Sequence, residues 1–524
     1  MEKIRRILQV GFWALLPGIT PALLMAQGNP SQNNYAAFEL ERDNNWDALI
    51  LEDLNGDQLR DIIVSDYQPG IGRELLVYDQ LANGQFSGTA KRIEIKSEII
   101  AVGFADLREE PGKELVLFSN GGLFSLSSEM EGYGGNIRPL LEWDLIATMP
   151  DLEQVIFIDN IGDINGDGVV DFLLPGDGVY GYFQGKGDEQ FELLSEIRSI
   201  NPALAQASET QREGNIDGNI SINAQQGIQL QFTAAAPSPY FGFIEQWQDS
   251  ESDSRSLFRN ENWMPSAILD DMNGDGLQDI SYLTIGDDGL GQLNIHIQHE
   301  AGFHDAADWA GSLDTRGDLQ LTDINLDGVS DLLQIREDGS ELTARFYLNE
   351  NGQFDFQQPQ QIMRFSGYDV RLEFLDIGSN QNPVLSVSYY TIPVVDAIRN
   401  ARINRTQLLY AAAEPDSGLI FNRRPDSQLE ESFSANNVRG LSEQMSLQYD
   451  VDADGVKDAL YITDNGTLAA KRIDSDLDIA SQPFWEYVSP RTVFEFDVLQ
   501  LNTDELPDLV LRHGVSSTIL VARP

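Results

Sequence analysis

The chemistry open to this chain is concentrated in one nine-residue phrase that it repeats. At residues 163–171 the phrase reads Asp163-Ile164-Asn165-Gly166-Asp167-Gly168-Val169-Val170-Asp171 and runs straight into the apolar Phe172, Leu173 and Leu174. It opens again at Asp53, Asp271, Asp323 and Asp450, each time ahead of an apolar, strand-like run. Oxygen-bearing side chains at positions 1, 3, 5 and 9, usually with glycine at 6, can wrap one hard cation, the ligand logic of a calcium loop. Carboxylates crowded into one turn repel, and a divalent ion turns that repulsion into attraction. An ion ringed by several carboxylates keeps few open positions, so the expected role is structural rather than catalytic. Solvated acidic hairpins are the plainer reading, and five copies of one spacing oppose it.

Something regular must position these turns. Degraded copies at 106–114, 376–380 and 500–508 fill gaps, so successive starts differ by 53, 57, 108, 52, 53, 74 and 50 residues. The value 108 is two periods, which predicts a silent unit near 206–262, with strands at 227–232 and 240–244. Phe86, Phe191, Phe303 and Phe354 fall 28 to 33 residues after a complete loop's first Asp. Each unit thus reads strand, acidic loop, strand, turn, strand, Gly-Phe turn, strand. Four short strands in about fifty residues, repeated many times, is the pattern of propeller blades. The expected fold is all-β, a β-propeller of four-stranded blades, eight by best count within a range of seven to nine. It spans 36–524, with units starting near 47, 101, 158, 206, 263, 319, 371, 444 and 496. The C-terminus is one strand short of a blade, and residues 38–42 can supply it and close the ring, which removes exposed sheet edges.

Charge and leader narrow the setting. Lys plus Arg number 34 against 84 Asp plus Glu, a net charge of -50. A field of that sign opposes nucleic acid and anionic membrane surfaces. Residues 1–26 read as a secretory signal, with Lys3, Arg5 and Arg6 ahead of an apolar run that ends at Leu24-Met25-Ala26. Pro17 and Pro21 oppose a long anchor helix, and 27–35 is a short linker. No later stretch is long and apolar enough to span a bilayer. A secreted, periplasmic or cell-surface location is expected. Without cysteine there is no disulfide, and calcium, abundant outside the cytoplasm, is the staple left.

At its loops the chain resembles the FG-GAP/VCBS repeat proteins, calcium-loop propellers that include the integrin α-subunit head. The shared features are the Asp-x-Asn-x-Asp-Gly-x-x-Asp loop, the apolar strand after it and the later Gly-x-Phe turn, as in Asn83-Gly84-Gln85-Phe86 and Asn351-Gly352-Gln353-Phe354. The resemblance covers nearly all of 36–524 and implies side-chain calcium ligands Asp53, Asn55, Asp57 and Asp61, then Asp163, Asn165, Asp167 and Asp171. The later sets are Asp271, Asn273, Asp275 and Asp279; Asp323, Asn325, Asp327 and Asp331; and Asp450, Asp452, Asp454 and Asp458. Backbone carbonyls of Leu59, Val169, Leu277, Val329 and Val456 would each add an oxygen. Gln58 stands where glycine is expected, at a cost on the order of 1 kcal/mol if the turn is left-handed. Gln500 replaces the first Asp of the last loop, leaving Asn502, Asp504 and Asp508 as a weaker site. The loops at Asp106 and Asp376 are expected to bind nothing.

Other constellations are thinner. His296 and His299 lie three apart, so on a strand they face opposite ways and cannot share zinc; the other histidines are His304 and His513. Arg316-Gly317-Asp318 matches an integrin-binding tripeptide at a length where chance explains it. No nucleophile elbow or phosphate loop is present. The unit at 376–449 is oversized, with enlarged connections at 391–405 and 425–444, and Arg399, Arg402, Arg405, Arg423 and Arg424 make a positive cluster there. Either this cluster binds a ligand on the face away from calcium, or its members pair with local acids such as Asp396 and Glu414. The expected function is a non-catalytic binding module for an extracellular or periplasmic protein or glycan. The alternative is a carbohydrate-active enzyme such as a polysaccharide lyase.

Overall fold

The second strand of each blade is buried on both faces, because each sheet is sandwiched between two others. In the computed structural model Asp61, Ile62, Ile63 and Val64 are consecutively buried. Side chains alternate across a strand, so Ile62 fills the interface with the preceding sheet and Ile63 the interface with the following one. Fully burying each such side chain contributes about 1.5–3 kcal/mol. The structure describes residues 35–41, 49–128, 131–145, 153–158, 161–199, 219–223, 227–231, 267–285, 290–378, 382–391, 402–434, 445–463, 465–504 and 506–523. Residues 1–26, read above as a signal, and most of 27–35 lie outside them.

Blade one is an antiparallel meander of Ile50–Glu52, Asp61–Gln68, Gly72–Tyr78 and Lys91–Ile95. The same four-strand order recurs over 101–142, 268–313, 318–366, 368–434 and 446–487. Blade three takes its inner strand from the segment beginning at Ile156–Phe157, which pairs parallel with Ala101–Ala105 of blade two. Gly162 of that segment bridges Asp171, and Phe172–Pro175, Val179–Gly185 and Phe191–Arg198 follow. Blade eight consists of Glu495–Leu499, Asp508–Arg512, Ser516–Ala522 and, outermost, Tyr35–Glu41, with Phe38 opposite Ile519. The N-terminal strand therefore closes the ring as its sequence predicts.

Eight apolar clusters, one at each junction of successive blades, make the circle continuous. The cluster between blades eight and one joins Ala36, Leu40, Val510 and Ile519 to Ile62, Val64 and Phe86. The turn phenylalanines plug these junctions. Phe86, Phe303 and Phe354 are buried in the clusters shared with their preceding blades, and half-buried Phe191 packs against the junction of blades two and three.

One expectation fails. Blade three packs directly on blade four through Tyr180, Tyr182, Ile197, Ile280, Tyr282 and Phe303. No blade stands between them, so the silent unit near 206 is an insertion in the connection. Its described part is a two-stranded hairpin, Asn219–Asn223 with Gly227–Gln231, that pairs with no other strand among the described residues. The expected strand at 240–244 lies outside the described residues. A spacing of two periods is met equally by a blade or by a long loop. The ring has eight blades. No helix among the described residues is long and apolar enough to cross a membrane.

Candidate functional site

The acidic loops join the first and second strands of their blades, so the meander gathers all of them on one face. Each is wound by its own side chains. Asp53 accepts the backbone N–H groups of Asn55, Gly56 and Asp57 on Oδ1, at 3.3, 2.7 and 3.2 Å, and that of Gln58 on Oδ2 at 2.8 Å. Asn55 then accepts from Asp57, and Asp57 from Leu59, both at 2.9 Å. Asp271 repeats the pattern onto Asn273, Gly274, Asp275 and Gly276. Asp163, Asp323 and Asp450 each take the N–H groups of positions 5 and 6.

Position 9 does something the spacing does not announce. Asp61, Asp171, Asp279 and Asp331 are fully buried, and each carboxylate ties three strands together. One oxygen of Asp331 accepts the N–H of Ile324 at 3.1 Å, and the other accepts that of Asn349 beyond the third strand at 2.7 Å. Asp279 does the same with Met272 and Gln298, Asp508 with Leu501 and Ala522. In blade two, Glu114 keeps the contact to Leu107 although that loop has lost its other ligands. Burial pushes the carboxyls of Asp61, Asp331 and Asp458 up to about 7. These residues are backbone staples in the first instance.

Neighbouring loops also touch. The position-8 N–H groups of Arg60, Gln278 and Lys457 donate to the position-2 carbonyls of Leu501, Ile164 and Ile377 in the preceding blades, at 2.9, 3.2 and 3.1 Å. A Cβ at Gly378 would lie 2.4 Å from the carbonyl oxygen of Gly455, so this approach requires glycine. Gln58 does adopt the left-handed conformation, φ 69°, that Gly168, Gly276, Gly328 and Gly455 adopt in their loops. Position 4 is left-handed too, at Leu326 (φ 58°) and Ala453 (φ 56°), which explains glycine at 56, 166 and 274.

The donors of the five complete loops are oxygens, the class that calcium takes, so the residues present fit the ion in kind. Asp450, Asp452 and Asp454 bring one ligand oxygen each to within 4.8 Å of the others. In blades three, four and five the position-3 amide instead donates to the position-5 carboxylate at 3.0, 2.9 and 2.9 Å. Other side-chain donors enter the loops as well, Gln184 reaching Asp167 at 3.2 Å. Gln500 turns its amide onto the carbonyls of Asn502 and Asp504, at 3.1 and 2.5 Å. Arg472 pairs with both Asp452 and Asp454.

The arginine cluster does not hold together. Arg402 and Arg405 lie near the start of Arg402–Ala411, toward the face away from the acidic loops, whereas Arg423 and Arg424 lie in the turn beyond its other end. Arg405 is 2% exposed, bonded to Glu431 at 2.6 Å and stacked 5.0 Å over Phe433. It is a structural ion pair with Glu431, a partner that sequence proximity did not suggest, and Asp396 lies outside the described residues. Arg423 and Arg424 are exposed, and Arg399 lies outside the described residues. Much of the supposed connection at 425–444 is the outer strand Ser427–Ser434. Arg316 of the tripeptide is bound to Asp314 at 2.6 Å.

The tertiary structure opens a site that no motif marks. A cavity of about 420 Å³ lies where inner strands of blades six, seven and eight meet the start of blade one. Arg371, Glu373, Gln448, Tyr449, Asp497 and Arg512 bring polar groups to it, with Leu49, Met445 and Phe496 beside them. Arg512 is held by Asp497 at 2.6 Å. Gln448 donates to Glu373 at 3.1 Å, and burial raises the Glu373 carboxyl above its ordinary value. These residues are scattered over 49–512 and share no spacing.

No family model matches this chain, and no curated protein does. Among solved structures, an Agrocybe aegerita lectin that recognises non-reducing terminal N-acetylglucosamine is similar at 13% identity and a TM-score of 0.37, over 74% of this chain and 84% of that one. The exotype rhamnogalacturonan lyase YesX is similar at 11% identity and a TM-score of 0.33, over 93% and 72%. The Pseudomonas aeruginosa periplasmic gluconolactonase PpgL follows at 11% and 0.28, over 88% and 99%. Similarities this distant assign neither family nor ligand, and the β-propeller fold stands on the sheet pairings and the closed ring of junctions.

Proposed function

We propose that this chain is an exported, calcium-organised β-propeller that works as a non-catalytic binding module and takes a glycan at its central channel. The observation that supports this is the cavity of about 420 Å³ bounded by strands of blades six, seven and eight and by Leu49 at the start of blade one, a size suited to a small saccharide. The guanidinium groups of Arg371 and Arg512, the Tyr449 hydroxyl and the Gln448 amide can meet sugar hydroxyls or a carboxylate, while Leu49 and Met445 offer apolar contact to a ring face. Calcium would be held by positions 1, 3 and 5 and the position-7 carbonyl, drawing each loop's carboxylates together. With those loops fastened on one face, strands bearing Arg371, Tyr449 and Arg512 keep their spacing, and a preorganised site loses less on binding.

A glycan array probed with the calcium-loaded chain tests the reading, followed by titration of retained sugars into Tyr449→Phe and Arg371→Ala. One sugar class should be retained, with at least tenfold weaker binding by the variants and unchanged melting. An empty array, or variants that bind as the parent does, would overturn it. The second reading, a carbohydrate-active enzyme, draws on Glu373, whose raised pKa suits a general acid beside the ion-paired Asp497. Release of new reducing ends or unsaturated products from a polysaccharide panel would favour it.

A further inference from the structure

We propose that the hairpin between the third and fourth strands of blade four is a second kind of metal site, for a borderline divalent cation such as Zn(II), with His299, His304 and Asp308 as its protein ligands. The chain has four histidines and no cysteine, and three of the four lie at 296, 299 and 304. His296 is spoken for. It is fully buried, its Nε2 lies 3.0 Å from the Tyr282 hydroxyl, and its Nδ1 lies 2.9 Å from the backbone oxygen of His304. The strand period sends His299 the other way, so these two cannot share an ion, but the chain then reverses. His299 and Gly302 exchange both backbone hydrogen bonds, at 3.0 and 2.9 Å. Phe303 anchors the turn in the junction with blade three, and His304 emerges beside His299 with ring centroids 4.4 Å apart.

Asp308 completes the set. Its backbone N–H donates to Ile295, and its Oδ2 accepts the N–H of Ile297 at 2.8 Å. That leaves Oδ1 facing both rings, 2.9 Å from His304 Nδ1 and 3.7 Å from His299 Nε2. One ligand atom from each of the three residues lies within 4.8 Å of the others. Tetrahedral zinc with bonds of about 2.0–2.2 Å sets its ligand atoms about 3.4 Å apart. The two measured separations, 2.9 and 3.7 Å, bracket that edge. Two imidazole nitrogens with one carboxylate favour zinc-class ions over calcium, which the oxygen-only loops suit. Ile297 orients the carboxylate and His296 fixes the backbone of His304, the supports that metal ligands need. All three ligands are exposed, so a fourth position opens to water. The repeat does not require histidine here, for the residue after the turn phenylalanine is Ser87 in blade one and Asp355 in blade five.

Zinc titrated calorimetrically into the full chain in millimolar calcium, with the acidic loops thereby given their own ion, tests the site. One equivalent should bind to the parent protein. His299→Ala and His304→Ala should each weaken it at least tenfold, and Glu300→Gln, which removes a neighbouring charge but no ligand, should change it less than twofold. Cobalt(II) should give tetrahedral-type visible absorption that both histidine variants abolish, and melting curves in calcium identify any variant that has failed to fold. Absence of zinc uptake by the parent, displacement of zinc by millimolar calcium, or undiminished binding by a folded His299→Ala/His304→Ala double variant would overturn the proposal.

Discussion

Arg472 lays its guanidinium against Asp454 in the blade-seven loop and takes Asp452 with the same group. Its guanidinium carbon also lies 4.5 Å over the ring of Phe484, a cation–π contact that helps to hold it in place. A cation supplied by the chain thus stands among carboxylates whose spacing matches the other loops, and an incoming ion must displace it.

Arg472→Ala should therefore raise the calcium affinity of this loop, by on the order of tenfold if the lost competition is worth ~1.4 kcal/mol. Calorimetry on parent and variant reads this directly. Identical isotherms would mean that Arg472 swings clear at no cost.

Positions 9 and 5 should respond differently to calcium. Asp331→Ala leaves the buried N–H groups of Ile324 and Asn349 without acceptors, at a cost of roughly 1–3 kcal/mol for each. That loss should persist in chelator, because the staple needs no ion. Asp167→Ala gives up only exposed hydrogen bonds, so it should lower the melting temperature much more in calcium than in chelator. If chelator left the parent's melting temperature unmoved, the structural role proposed for calcium would be wrong.

Gln58→Gly and Ala453→Gly should each stabilise the ring by about 1 kcal/mol, since both residues hold positive φ with a Cβ attached. The denaturant midpoint should rise in both. A fall in either would show that the side chain makes a compensating contact.

Glu431 sits between Arg405 at 2.6 Å and Lys471 at 3.2 Å, joining blade six to blade seven. Burial would raise its carboxyl, but the two cations outweigh burial and hold it below its ordinary 4.5. A depressed folded pKa contributes stability above the unfolded value, and that contribution is lost as pH falls through the folded one. Glu431→Gln should cost about 3–5 kcal/mol at pH 7 by removing the carboxylate that two buried cations share. The difference from the parent should shrink below pH 4.5 as the parent's own carboxylate titrates. A pH-independent difference would point to packing instead.

The loops, the four-strand unit and the closing strand Tyr35–Glu41 were legible because they depend on local spacing. Positions 1, 3 and 5 wind their turn with hydrogen bonds inside nine residues, and alternation along Ile62 and Ile63 requires a sheet buried on both faces. The insertion at 206–262 was misread because a period shows that a unit could fit and not that one packs there. Arg405 looked available because its partner Glu431 lies 26 residues away, across a strand pair that only the register of Arg402–Ala411 with Ser427–Ser434 brings together.

By itself the sequence determined a closed ring of repeated sheets with acidic turns on one face, since side chains alternating at period two and carboxylates at fixed offsets act through near neighbours. Tertiary structure alone decided that position 9 is a buried staple, that Arg472 enters a loop, that His304 returns to His299, and that Arg371, Tyr449 and Arg512 share a cavity. Each of those depends on where a strand or hairpin packs after long travel along the chain, which no local pattern encodes.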